Sequence, residues 1–131
     1  MIHYLNEEFA AVNYNPQVNL VEVIWRTHQQ SSHYRQAINA AYEIILKYGA
    51  NKWLSDMRNE GVVSVEDQKW LKEEMVPKAF KAGLRRIALV VSKDVFVRFY
   101  TKNIQKPLVE TFQVRHFDDI EQAHKWLMSK P

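Results

Sequence analysis

The sequence predicts an α/β fold built on one mixed β-sheet, and three observations point to it. Short apolar segments at 2–5, 10–14 and 20–25 follow one another with too little chain between them for a crossover helix, so they pair antiparallel. From residue 31 onward, stretches with apolar residues every three or four positions alternate with short apolar runs, as strands buried between helices require. The 131 residues suffice for one hydrophobic core without staples and leave no room for a second domain, so residues 1–131 are expected to form a single domain. The expected order is βββαβαβαβα: antiparallel N-terminal strands, then strands joined by right-handed crossovers, with helices packed on the sheet.

The first strands are "IHYL" at 2–5 and "AAVNY" at 10–14, and an Asn15-Pro16 break leads into "LVEVIW" at 20–25. In "SSHYRQAINAAYEIILKYG", Tyr34, Ala37, Ile38, Ala41, Ile45 and Tyr48 share one helical face between a serine cap and Gly49. "KWLSDM" then reads as a short, largely buried strand, with Gly61 permitting the turn that ends it. Ser64 stands three residues before Asp67, the spacing of a capping box, and Leu71, Met75 and Ala79 form the inner face of the helix it starts. Pro77 lacks an amide hydrogen and so bends or restarts that helix before Gly83 closes it.

"RRIALVVS" is a buried strand, apolar from Ile87 to Val91. In the segment 95–110, Val95, Val97 and Phe99 alternate as in a strand, but the later part has helical spacing, and the segment is read as helix. "TFQVRHF" supplies the last strand and "DDIEQAHKWL" the last helix, with Asp119 spaced from Gln122 as a cap and Ile120, Ala123 and Leu127 facing inward.

Composition removes several chemistries. There is no cysteine, so a disulfide framework, a thiol nucleophile and a cysteine zinc site are excluded together. The three glycines stand alone, so no phosphate loop exists, and none of His3, His28, His33, His116 and His124 forms the i, i+4 pair of a zinc protease. Ser92, Asp94 and His116 can be written as a triad, but no strained nucleophile elbow supports it. No catalytic residue, cofactor or metal is therefore expected.

The net charge of +3 comes from scattered cations; the densest group, Lys78, Lys81, Arg85 and Arg86, sits where cations suit a helix carboxyl end, so nucleic acid is not expected as a partner. Trp25, Trp53, Trp70 and Trp126 fall on four elements, as core packing requires, although Trp70 and Leu71 cannot both point inward on one helix. No basic segment precedes a long apolar stretch and no eighteen apolar residues run together, so the expectation is a soluble cytoplasmic protein without a membrane span.

"KWLSDMR", "VEDQKWLKEEMVPKAFKAGLRRIALVV" and "FDDIEQAHKWL" resemble the SpoIIAA-like family of small bacterial proteins from about Ile44 onward. The family's fold is similar to the STAS domain of sulfate transporters and anti-sigma-factor antagonists, and more loosely to lipid-binding SEC14-type domains. The resemblance implies a binding or regulatory module. In the antagonists a phosphorylated serine at the start of the helix after a central strand switches partner binding. Ser64 matches that place in the topology, but Met57 and Arg58 follow Asp56 where those proteins carry a serine pair and a glycine, so Ser64 reads first as a cap.

In sheets of this kind ligands sit outside the carboxyl ends of parallel strands, facing helix amino ends. The polar residues there are Asp56, Arg58 and Asn59 after one strand, Ser92, Lys93 and Asp94 after the next, and His116 and Asp118 at the last. The bland alternative is that Asp56 and Arg58 pair and the aspartates cap helices. The candidate partner-binding set is Asp56, Arg58, Asn59, Ser64, Trp70, Lys93 and Asp94, with Trp70 as an exposed contact on the helix that starts at the rim. Two function classes follow. One is a noncatalytic module that binds a protein partner, a second copy of itself, or a small apolar or anionic ligand. The other is a lipid or acyl carrier of the SEC14 kind, with an apolar cavity between "DVFVRFYTKNIQKPL" and the sheet.

Overall fold

A computed structural model describes residues 1–27, 30–59, 63–92 and 105–130. Six strands form one sheet in the order of the chain: β1 (Ile2–Asn6), β2 (Ala10–Asn15), β3 (Leu20–Trp25), β4 (Lys52–Asp56), β5 (Arg86–Val90) and β6 (Gln113–Phe117). β1 to β3 pair antiparallel and β3 to β6 parallel, which is the mixed sheet expected from short early connections and longer later ones.

The helices are α1 (Ser31–Tyr48), α2 (Val65–Trp70), α3 (Val76–Lys81), α4 (Gln105–Thr111) and α5 (Ile120–Met128), with one π-helical turn, Leu71–Met75, between α2 and α3. α4 bears out the helical reading for the end of the segment 95–110; residues 95–104 lie outside the described residues.

Strand alternation divides the core in two. Val21, Val23, Trp25, Trp53, Ile87 and Leu89 point to the face covered by α1, the π turn, α3 and α4. Leu20, Leu54, Ala88 and Val90 point to the other face, where Ala123 and Leu127 of α5 close over them. A strand covered on both faces has no solvent side to mark with polar residues, hence the continuous apolar run in β5. Glu22 is one of the polar residues buried in the sheet. It sits on β3 with only 8% of its surface exposed, opposite Asn13 and Leu54 on the α5 face.

One local reading needs correction. Gln30, not a serine, is the N-cap of α1; the Ser31 hydroxyl donates to Asp67 Oδ1 at 2.8 Å, an interaction 36 residues distant in sequence. At the other end Gly49 takes the left-handed conformation (φ 69°) and returns its N–H to the Ile45 carbonyl, as a helix stop requires. Pro77 does restart its helix, and the device is the π turn, in which the Val76 N–H reaches the Leu71 carbonyl five residues back. The added residue accommodates the missing amide before α3 begins.

Of the cationic group, Arg85 donates to the Phe80 and Leu84 carbonyls at 2.7 Å. The buried Arg86 reaches the Leu127 and Ser129 carbonyls past the end of α5 and stacks on Trp126. Arg85 thus serves the end of the helix it follows, as read from its position, whereas Arg86, on β5, serves the end of α5.

Candidate functional site

Because β3 to β6 run parallel, their carboxyl ends share one edge of the sheet, and α1, α2 and α5 begin there. Asp56 ends β4 and is buried. Strand alternation sends Met57 into the core and brings Asp56 and Arg58 to the same side. Arg58 donates through Nε to Asp56 Oδ1 at 2.9 Å and through Nη2 to Oδ2 at 2.8 Å, a bidentate fork, and its backbone N–H also reaches Oδ1 at 3.3 Å. These hydrogen bonds and the Asp56 charge raise the guanidinium pKa above its ordinary value. The fork uses two of arginine's five N–H donors, and the Arg58 side chain remains 46% exposed, with Asp119 close enough to act on its charge. Asn59 is exposed beside it.

Ser64 is the N-cap of α2: its Oγ accepts the Asp67 N–H at 3.1 Å. The Asp67 carboxylate has a wider role than a capping box supplies. Only 2% exposed, it accepts from Ser31 Oγ and from Arg35 Nε, each at 2.8 Å, and so ties the start of α2 to the start of α1. Burial acts to raise its pKa, but hydrogen bonds from Arg35, Ser31 and Ser64, aided by the Arg35 charge, outweigh burial and hold it below the ordinary carboxylate value. Arg35 in turn lies over the Trp70 ring at 4.9 Å, while Tyr34 meets Trp70 edge-on. Trp70 is half-buried, with Arg35 over one face, rather than fully exposed.

Ser92 is exposed after β5, whereas Lys93 and Asp94 lie outside the described residues. Asp118 is exposed beyond β6, and Asp119 caps α5 by accepting the Glu121 N–H at 3.0 Å. His116 is opposite Leu89 and therefore belongs to the α1 face of the sheet, not to the rim; burial lowers its pKa. Asp56 and Arg58 are joined by the fork at the end of β4 with Asn59 next in the chain, while Ser64 and Trp70 lie at the start and end of α2. Sequence reasoning missed Asp67 and Arg35 as a pair, and missed Val65, 75% exposed at the first position of α2 beside Ser64. An apolar residue directly after a cap was the available signal for Val65; no local signal exists for a partner 32 residues away.

Among the described residues no group of three histidine, cysteine or carboxylate side chains can hold a metal, and no helix is long and apolar enough to cross a membrane. Behind the rim, a cavity of ≈ 70 Å³ lies between the first-core face of the sheet, α1, the π turn, α3 and α4.

A six-stranded mixed sheet with antiparallel N-terminal strands and helices packed on it is consistent with a STAS-like fold. The SpoIIAA-like family model matches residues 20–128, and the chain belongs to that family. The match starts at Leu20, so it includes β3 and α1 and extends further toward the amino terminus than the resemblance read from about Ile44. No curated protein matches the chain. Membership makes the domain one of the STAS-type regulatory or binding modules.

Proposed function

We propose that this domain is a noncatalytic, cytoplasmic binding module that captures a protein partner at the strand carboxyl edge. The observation that carries the reading is the Arg58 fork: a buried carboxylate holds a half-exposed guanidinium, a group suited to an acidic side chain of the partner. Val65 adds an exposed apolar contact at the start of α2, and Asn59, Ser64 and Trp70 join it in the proposed set. Lys93 and Asp94 complete the proposed set from the sequence. Ser64 works here as a cap, since its oxygen is already engaged by the Asp67 amide.

The test is capture of the partner by wild type, Arg58→Ala and Asp56→Asn, each first checked by thermal melting. Arg58→Ala is expected to weaken capture by roughly 1–3 kcal/mol, the range for a charge-assisted contact, with little change in melting temperature. Asp56→Asn keeps the shape and one acceptor, so its effect is smaller. Unchanged capture by folded Arg58→Ala protein returns the pair to a structural role. Size-exclusion chromatography of the same samples shows whether the partner is a second copy.

The second reading, an acyl or lipid carrier, has the cavity in its favour. At ≈ 70 Å³ it is about half the ~150 Å³ of an engineered cavity that binds benzene, so it holds the end of a chain and not a whole lipid.

A further inference from the structure

We propose that the cavity behind the rim is a binding site for a small uncharged hydrocarbon group, an aliphatic chain end of roughly three or four carbons by comparison with a cavity twice its volume that takes benzene. The site is separate from the rim and does not depend on how the rim is read.

Its walls decide the chemistry. The described lining comes from the sheet, α1, the π turn, α3 and α4, and not one of these residues is charged. The indole N–H of Trp53 donates to Ser55 Oγ at 2.8 Å, and Tyr34 and Tyr42 are the other lining residues that carry a hydroxyl; the remaining described lining is apolar. A lining this poor in polar groups offers an entering water few partners to replace its bulk hydrogen bonds. Hydrocarbon entering the cavity gains the dispersion contacts that the empty walls lack, while a carboxylate or ammonium would be stripped of water with no counter-charge.

One wall is unusual. Leu71 and Met75, at the two ends of the π turn, both line the cavity, and the turn is there because Pro77 withholds an amide from the regular ladder. Single π turns inside helices recur at functional sites.

Methionine methyl NMR on the full chain tests the site directly. Met57 and Met75 line the cavity, whereas Met1 and Met128 are exposed and serve as internal controls. Xenon and butanol are expected to shift the Met57 and Met75 methyls saturably and to leave Met1 and Met128 in place, with butyrate at least roughly tenfold weaker than butanol because its charge must be desolvated.

Along the series from propanol to octanol the gain per methylene should stop at about four carbons, where the void is full. Octanol binding as tightly as butanol means that a longer chain leaves its remainder outside; loss of octanol binding means that the site encloses a free small hydrocarbon. Ala79→Leu fills the void and is expected to weaken butanol binding roughly tenfold, by displacing about two methylenes' worth of contact, without lowering the melting temperature. Val76→Leu adds a single methylene from the neighbouring position and serves if the larger side chain perturbs folding. Unmoved Met57 and Met75 methyls, equal affinity for butyrate, or binding that survives a folded filling variant would each overturn the proposal.

Discussion

Asp67→Ala tests the tie between the starts of α1 and α2. The substitution removes one carboxylate and with it the Ser31 and Arg35 hydrogen bonds, each 2.8 Å long. A bond to a charged group contributes about 1.5–3 kcal/mol when buried, but Ser31 is exposed and the Arg35 side chain is 41% exposed, so each reduces to about 1 kcal/mol. A carboxylate in the first turn of a helix adds about 0.3–1 kcal/mol. The expected loss is therefore about 2–3 kcal/mol. It stays below the roughly 3–5 kcal/mol of a broken buried ion pair, because neither former partner is stranded away from water.

For a domain of this size such a loss lowers the melting temperature by about 6–12 °C. Urea denaturation followed by tryptophan fluorescence measures it, and acid supplies a second test. The folded-state pKa of Asp67 lies below its unfolded value, so its contribution is complete above the unfolded value, near 3.8, and is lost as pH falls through the folded one. The gap between wild type and Asp67→Ala should narrow in that acid range. A loss under about half a kcal/mol at neutral pH, or a gap that does not change with pH, would refute the reasoning.

Further measurements examine other parts of the structure. Leu89→Ala, in the centre of β5 with 3% of its surface exposed, should cost roughly 2–5 kcal/mol, and a loss below about half a kcal/mol contradicts its burial. Ser64→Ala should lose about 1 kcal/mol by removing the acceptor for the Asp67 amide while Ser64→Asp stays near wild type; phosphate found stoichiometrically on Ser64 would replace the cap by a switch. Burial raises the Glu22 pKa, partly offset by the His124 charge, so the folded state holds this proton more tightly and stability falls as pH rises through the window above about 4.5. Glu22→Gln should then stabilise the protein at neutral pH and flatten that dependence; equal pH profiles for the two proteins in denaturation would count against it.

The readings that succeeded share a cause. The alternation of strands and helices, the stop at Gly49, the cap at Ser64 and the restart at Pro77 are each set by residues within a few positions of one another. The Asp56–Arg58 fork spans two residues and was open to the same reasoning, first as the bland pairing and then as a support for a site. Ser31 misled for the opposite reason: its spacing suits a cap, but its hydroxyl goes to Asp67 on another helix.

By itself the sequence determined the order of elements, the antiparallel start of the sheet and the family-like fold, because apolar period, caps and breakers act through neighbours along the chain. Tertiary structure alone decided that Asp67 and Arg35 join two helix starts, that Trp70 turns inward beneath Arg35, and that a void opens between α1, the π turn and α4. These depend on how far each crossover carries a helix across the sheet and on the volumes that meet there. No local pattern records either quantity, since a buried carboxylate is stable only where a distant donor happens to arrive, and a cavity is a mismatch among side chains that packing brings together.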